Sequence, residues 1–291
     1  MDFLTGPCPK CGKQLQIPAE LTEFSCLYCG TRMGRDDLLP HSAGSSEALL
    51  AQLGNCVTSC RDTISYLLPK KYAPRFEAFC DAHGQLLKTI DEVSPASFEA
   101  IAVSLVTHIG TWVAKNKRSL QREDSLLEDV RYTLCLLFVP AVQHLAPRQG
   151  KVFCEKLLQL WQEAYPKQTF QIVTFESIAG GFREHKLCFI TTAVCTYQGK
   201  SDDCAELTAF RNFRDNWLRR RPFGKSLIRT YYRIAPALVT VMNVTEPDIL
   251  YPALWDTYLH PCYDALQAGK FIRCRRLYTA MVRSLRKKYR L

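Results

Sequence analysis

The chain has no long apolar segment of the kind that targets a protein to a membrane or anchors it there. Its first residues, Met1 to Gly6, contain no basic region followed by an apolar run, so we expect no signal peptide. The longest uncharged run, Tyr132 to Pro147, covers sixteen residues and contains Pro140, which makes it too short and too broken for a membrane span. These absences favour a cytoplasmic protein without a transmembrane segment, in which cysteines stay reduced.

The motifs of several large enzyme classes are also missing. The sequence has no P-loop, no glycine-rich dinucleotide motif, no serine in a nucleophile elbow and no internal repeat. Each of these motifs would indicate a reaction class or a repeat architecture. Since none is present, the sequence does not indicate a particular reaction.

Acidic residues are scarce in the last third of the chain. Residues 1–45 carry four basic and five acidic side chains, residues 46–180 carry fourteen of each, and residues 181–291 carry twenty basic and nine acidic. The formal net charge of +10 therefore comes from residues 181–291. A basic surface of this kind attracts an acidic protein, a nucleic acid or an anionic lipid surface, although it can also be a solvated surface with no dedicated partner.

Cysteine, by contrast, is abundant, with fourteen in the chain. Four of them form two Cys-x-x-Cys-Gly knuckles, Cys8 with Cys11 and Cys26 with Cys29. A knuckle turn directs two thiolates to one point, and the following glycine lets backbone N–H groups face the sulfurs. Two knuckles supply a tetrahedron of four thiolates, which is how proteins hold structural zinc. The sequence therefore predicts one structural Zn²⁺ site in an N-terminal ribbon.

The residue pattern predicts a mainly α protein, with a helical bundle, a helical C-terminal domain and a small N-terminal β zinc ribbon. Ser, Gly and Pro mark a linker after the ribbon, and apolar residues then recur at helical spacing with short connections. We expect a zinc ribbon at 1–34, a linker at 35–46, a helical bundle domain at 47–168 and a basic helical domain at 169–291. Residues 169–175 are a candidate short strand.

The most distinctive segment begins at Cys188. It runs from Cys188-Phe189-Ile190-Thr191-Thr192-Ala193, through Glu206-Leu207 and Arg211-Asn212-Phe213-Arg214-Asp215, to Tyr231-Tyr232-Arg233-Ile234-Ala235-Pro236. On these motifs it resembles the bacterial CFI-box family, named for Cys-Phe-Ile. The order of zinc ribbon, helical middle and this segment resembles one branch of that family.

That resemblance implies a fold but no reaction, because the family has no established activity. The chain departs from the commoner family pattern, which has Tyr-Gly where this chain has Cys195. Any chemistry common to the family would therefore depend on Cys188, with Cys195 and Cys204 as additions of the branch.

Three interpretations of Cys188, Cys195 and Cys204 are open. Burial as small apolar side chains is favoured, since free cysteine is among the most buried residue types. A further metal site, with His185 as a fourth ligand, is disfavoured because the spacings are not those of knuckles. A reactive thiol is the third: Cys204 is expected in the first turn of a helix, where the helix dipole lowers a thiol pKa, but acidic neighbours oppose this.

Local patterns in the same segment predict side-chain pairs and a helix end. Asp203 is a good N-cap, with Glu206 completing a pair like a capping box. Arg211 and Asp215, four residues apart, are expected as an ordinary ion pair, and a later helix is expected to end at Pro236. Alternatively, the arginines of this region bind an anionic ligand bidentately; the candidates are Arg211, Arg214, Arg219, Arg220 and Arg221.

The C-terminal residues predict a basic amphipathic helix, because apolar residues from Cys274 to Tyr289 lie at helical spacing between arginines and lysines. The first functional hypothesis is a non-enzymatic adaptor whose basic residues 181–291 contact an anionic partner. The second is a thiol-dependent enzyme, for a redox or acyl-transfer step, centred on Cys188 with Cys195 and Cys204. The third is a nucleic-acid-binding protein, which the nearly neutral ribbon disfavours.

Overall fold

The computed structural model describes residues 3–8, 13–18, 20–34, 52–60, 62–118, 120–181 and 188–291. The chain divides into two compact units, Met1–Gln52 and Leu53–Leu291. The first contains the strands and the second is helical, so the protein is mainly α with a small N-terminal β region, which confirms the predicted fold class. The predicted linker, residues 35–46, lies outside the described residues.

The N-terminal unit is built from two antiparallel hairpins. Strand β1 (Phe3–Pro7) pairs with β2 (Gln14–Pro18), and β3 (Glu23–Ser25) pairs with β4 (Arg32–Gly34). Alternate residues of β2 are buried and exposed, as expected for a strand with one face on a core. That core is small and consists of Cys8, Leu15, Ile17, Cys26 and Met33.

The helices of the described residues follow one another with short connections. In chain order they are α1 (52–58), α2 (Tyr72–Lys88), α3 (Phe98–Asn116), α4 (Leu120–Thr133), α5 (Val139–Leu145), α6 (Gly150–Ala164), α7 (Phe175–Gly181), α8 (Phe189–Tyr197), α9 (Ala205–Asn212), α10 (Gly224–Thr245), α11 (Pro247–Leu254), α12 (His260–Gln267) and α13 (Phe271–Tyr289). Three π-helical segments join neighbouring helices: Leu134–Phe138, Phe213–Leu218 and Trp255–Leu259.

Helix α3 shows how the core forms. Its residues Leu105 and Ile109 recur at helical spacing and are fully buried, and the helix packs against α6. By length and composition alone, the stretch Pro95–Asn116 could also cross a membrane. A single helix of this kind is weak evidence for a span, because core helices of soluble proteins pass the same test.

Residues 47–168 and 169–291 are not separate compact units, because the boundary predicted at 168/169 lies inside the unit Leu53–Leu291. Several hydrogen bonds cross this boundary, two of which show how the two sides are joined. The buried guanidinium of Arg131, on α4, donates to Oε1 of Glu246 at 2.9 Å, and the backbone N–H of Gln171 donates to the carbonyl oxygen of Val244 at 2.7 Å.

Three local expectations were wrong. Residues 169–174 form neither a strand nor a helix, since no second strand pairs with them among the described residues, and α7 begins at Phe175. The helix expected to end at Pro236 continues to Thr245 as α10. Its residues 234–238 are all buried, so tertiary packing outweighs the proline's missing hydrogen bond.

Asp203 does not cap α9, because Cys204 is the N-cap residue. Asp203 instead accepts a hydrogen bond from Ser201, and Glu206 accepts one from Lys200.

Candidate metal centre and thiol pocket

Three of the four predicted zinc ligands lie together in the N-terminal unit. The sulfurs of Cys8, Cys26 and Cys29 are all within 4.8 Å of one another, and those of Cys8 and Cys29 are 3.7 Å apart. Among the described residues this is the one group of three or more cysteine, histidine or acidic side chains close enough to share a metal ion. Cys11, the fourth predicted ligand, lies outside the described residues.

The second knuckle has the backbone geometry that a metal-binding turn requires. The N–H of Tyr28 faces the sulfur of Cys26 at 3.4 Å, and the N–H of Gly30 donates to the carbonyl oxygen of Cys26 at 2.9 Å. Gly30 has a φ of +70°, a conformation that favours glycine. The hydroxyl oxygen of Thr31 lies 3.3 Å from the sulfur of Cys29. The arrangement can hold a metal ion.

The structure does not bring Cys188, Cys195 and Cys204 to one point. The Cys195 side chain, on α8, is buried and interacts with Cys204. Burial and the neighbouring Cys204 raise the pKa of Cys195 to about 12. Cys188 instead lies at the N-cap of α8, beside Arg214. The described residues therefore contain no metal group built from these three cysteines. His185 lies outside the described part of the chain.

Cys188 contacts a polar group that the sequence did not pair with it. Nη1 of Arg214, on the π-helical segment after α9, lies 3.6 Å from the Cys188 sulfur and donates to the hydroxyl oxygen of Tyr232 at 3.0 Å. The same guanidinium pairs with the carboxylate of Asp215. Burial raises the pKa of the Cys188 thiol, although the charges of Arg214 and Arg211 oppose this. The thiol is therefore neutral near pH 7.

Two tyrosines complete this environment. The hydroxyl of Tyr278, on α13, donates to the hydroxyl of Tyr231 at 3.0 Å, and the Tyr231 oxygen accepts from the N–H of Ile190 at 3.0 Å. The hydroxyl groups of Thr191 and Tyr278 are 3.2 Å apart. The first turn of α8, which contains the Cys-Phe-Ile-Thr residues, is thus fixed to α10 and α13 by hydrogen bonds.

Cys188 lies in the wall of a cavity of about 290 Å³ between the Phe210–Leu218 region, α10 and α13. Leu218 lines this wall, and α10 starts close to its backbone: a Cβ on Gly224 would collide with the carbonyl oxygen of Leu218. Arg275, Arg283 and Arg286 of α13 also line the cavity. Neither these arginines nor the tyrosines were predicted as site residues. The spacing of Arg275, Thr279, Val282 and Arg286 does show that these four side chains lie on one face of α13.

Four of the five candidate anion-binding arginines already interact with side chains of the chain itself. Arg211 bonds Asp202, not the predicted Asp215, and Asp215 pairs with Arg214 and Arg219. Arg221 lies over the ring of Trp217 at 4.6 Å. Arg220 is exposed. The π-helical segment Phe213–Leu218 changes the helical spacing after Arg211, which explains why the four-residue pair does not form.

Comparisons with known proteins add no assignment. No family model matches the chain, and neither does any curated protein or any solved structure.

Proposed function

We propose that this chain is a zinc-ribbon adaptor without enzymatic activity, whose helical unit binds an anionic partner through helices α10 and α13. The observation that carries the proposal is the composition of these two helices. Together they contain ten lysines and arginines and no aspartate or glutamate. Because the helices pack against each other, their basic side chains belong to one region of the helical unit.

The intervals between the basic residues show which of them lie on the same face of each helix. On α10, Lys225, Arg229 and Arg233 follow one another at four-residue intervals and are all exposed. On α13, an exposed face carries Arg273, Arg276, Arg283 and Lys287. We call these seven side chains the basic face. Within the described residues, no carboxylate lies within 4 Å of any of their charged nitrogen atoms, so their charge is not neutralised locally.

The ribbon has a structural role in this proposal. The chemistry of the donor set supports zinc, since four thiolates in two knuckles form a closed tetrahedral site with no position left for a substrate. The ligands are Cys8, Cys11, Cys26 and Cys29. A cytoplasmic location fits a protein with reduced cysteines. Membership of the CFI-box family is part of the proposal and adds no catalytic role.

Heparin chromatography in a salt gradient tests the proposed basic face. We expect the full chain to be retained, and a variant with Arg229, Arg233, Arg273 and Arg276 changed to Gln to elute at clearly lower salt. A control variant loses the same charge elsewhere, through Lys70→Gln, Lys71→Gln, Lys88→Gln and Lys115→Gln. Equal elution shifts for the two variants would show a dependence on net charge alone and contradict a dedicated face.

The same proteins can separate the classes of partner. Retention on heparin with no binding to single-stranded oligonucleotides or anionic vesicles, at the same ionic strength, supports an acidic protein partner. Oligonucleotide binding that depends on the basic face would instead favour the nucleic-acid hypothesis.

A thiol-dependent enzyme centred on Cys188 is the second candidate, favoured by the position of Arg214 beside this thiol at a helix N-terminus. Against it stand the raised pKa of Cys188 and its separation from Cys195 and Cys204. Iodoacetamide labelling of the zinc-loaded protein decides between the two. Labelling of Cys188 faster than a free thiol at neutral pH would support the enzyme.

A further inference from the structure

The cavity beside Cys188 has the features of a small-molecule site; it adjoins the basic face, with which it shares Arg283. Its volume of about 290 Å³ is close to the lower end for ligand pockets, roughly 300 Å³. Most of its wall is aromatic or aliphatic. The apolar side chains include Phe210, Phe213, Leu218, Leu227, Ile228 and Val282. A wall of this kind favours an apolar ligand group, which gains about 0.8 kcal/mol for each buried methylene.

The charge of the cavity has one sign. Four arginines line it, and no acidic residue is among the lining side chains that the structure describes. Arg214 is buried and already pairs with Asp215, so its charge is largely balanced. Arg275 is half-buried over the ring of Phe223, whereas Arg283 and Arg286 are exposed. Arg283 has no carboxylate within 4 Å among the described residues, and Arg286 donates from Nε to the backbone oxygen of Leu291 at 3.0 Å. The positive charge of these two side chains lies at the solvent-exposed side of α13, beside an apolar interior.

The volume limits the ligand. A volume of about 290 Å³, near the lower end for ligand pockets, fits a small ligand better than a large one. A carboxylate is the anion that best matches guanidinium geometry in a ligand of this size, because its two oxygens accept two parallel hydrogen bonds.

We propose that this cavity binds a medium-chain monocarboxylate, with the alkyl chain among the apolar side chains and the carboxylate at Arg283 and Arg286. The inference goes beyond the adaptor function, since the cavity can bind such a ligand whether or not the basic face has a macromolecular partner. The neutral thiol of Cys188 contributes apolar surface to the wall and forms no bond with the ligand.

Calorimetric titration of the full, zinc-loaded chain with octanoate, which has eight carbons and two oxygens, tests the proposal. We expect saturable binding of one octanoate per chain. Hexanoate should bind about fifteenfold more weakly, at about fourfold for each methylene lost. Octan-1-ol, with the same chain and no charge, should bind at least about tenfold more weakly. Equal affinity for octanoate and octan-1-ol, or no saturable heat with octanoate, would overturn the proposal.

Paired variants assign the binding to the cavity. Arg283→Gln with Arg286→Gln should weaken octanoate binding about tenfold and leave octan-1-ol unchanged. The matched control, Arg273→Gln with Arg276→Gln, removes two exposed arginines of α13 that do not line the cavity and should leave octanoate affinity unchanged. An equal loss in both pairs would contradict the assignment. Because the control pair belongs to the basic face, weaker heparin retention with intact octanoate binding separates the two proposals.

Discussion

Arg214 lies against Cys188, with 3.6 Å between its Nη1 atom and the thiol sulfur, and holds this contact while paired with the neighbouring carboxylate of Asp215. The thiol of the Cys-Phe-Ile motif is therefore not isolated in an apolar core, and among the described residues it belongs to no metal-binding group. It is a buried, neutral group whose protonation depends on a balance between burial, which raises its pKa, and the positive charges of Arg214 and Arg211, which lower it.

The first prediction concerns the protonation of Cys188. Because burial raises its pKa, the rate of alkylation at Cys188 should rise with pH through a midpoint above that of an ordinary thiol, about 8.5. Arg214→Gln removes a charge that lowers this pKa, so its midpoint should lie higher still. Peptide mass spectrometry of iodoacetamide-treated protein gives the profile.

The matched control is Arg220→Gln, which removes an exposed arginine outside the surroundings of Cys188 and should leave the midpoint unchanged. A wild-type midpoint below that of a free thiol would contradict a neutral Cys188 and favour the thiol-dependent enzyme.

The second prediction concerns the buried ion pair of Arg131 and Glu246. Arg131 is 1 % exposed, and its guanidinium lies 2.9 Å from the carboxylate of Glu246. Glu246→Gln removes this negative charge and should lower the free energy of unfolding by about 3–5 kcal/mol. Urea denaturation measures the change. Lys288→Ala removes the other, exposed partner of the same carboxylate and should cost below about 1 kcal/mol.

A combined Arg131→Met and Glu246→Gln variant checks the cause. It should recover part of the lost stability, because no buried charge then remains unpaired. Equal destabilisation by Glu246→Gln and Lys288→Ala would show that the burial of Arg131 does not determine the cost.

The third prediction is a loss of stability at alkaline pH. Complete burial raises the pKa of Cys135 to about 12, although the charge of Arg131 opposes it, whereas an unfolded thiol titrates near about 8.5. The folded state therefore holds its proton to higher pH. The stabilisation is complete below about pH 8.5 and is lost as pH rises from there towards 12.

The Cys135→Ala variant isolates this contribution. Between pH 7.5 and 9.5 its unfolding free energy should fall by about 1 kcal/mol less than that of the wild type. Val139→Ala, at a fully buried neighbour that does not titrate, should lower stability equally at both pH values. Parallel pH dependence in the wild type and Cys135→Ala would refute the assignment.

Sequence reasoning succeeded where local spacing determines structure. The knuckle spacing predicted Cys8, Cys26 and Cys29 as one group, and the apolar spacing of Cys274, Met281, Leu285 and Tyr289 matched the buried face of α13. The helix pattern depends on neighbours within one helix, and each knuckle depends on neighbours within one turn. The two knuckles were grouped because four thiolates form one metal site.

The sequence-based predictions were wrong where contacts between residues far apart in the chain determine the structure. Nothing in the spacing of Arg211 indicates that it bonds Asp202 instead of Asp215, or that the intervening helix becomes π-helical. The cavity depends on α13 packing beside Cys188, from which it is separated by more than eighty residues. Such a contact follows from tertiary packing, which a single sequence does not encode at the level of local pattern.

The fourth prediction concerns metal content. Purified protein should contain one zinc per chain, and Cys29→Ser should lose it, because a serine hydroxyl does not replace a thiolate ligand at neutral pH. Cys188→Ser should retain one zinc. Atomic absorption on matched samples measures the ratio. Two zinc ions in the wild type and one in Cys188→Ser would show that Cys188 binds metal.

The proposed anion binding by α10 and α13 should not require the cysteine ribbon. Heparin elution of the wild-type chain and of the Cys26→Ser chain, which should lack zinc, is the decisive comparison when both are run in the same salt gradient. Both chains should elute at the same salt concentration, well above that of the variant lacking Arg229, Arg233, Arg273 and Arg276. Loss of retention in Cys26→Ser, or retention of the four-arginine variant at wild-type salt, would contradict the proposal.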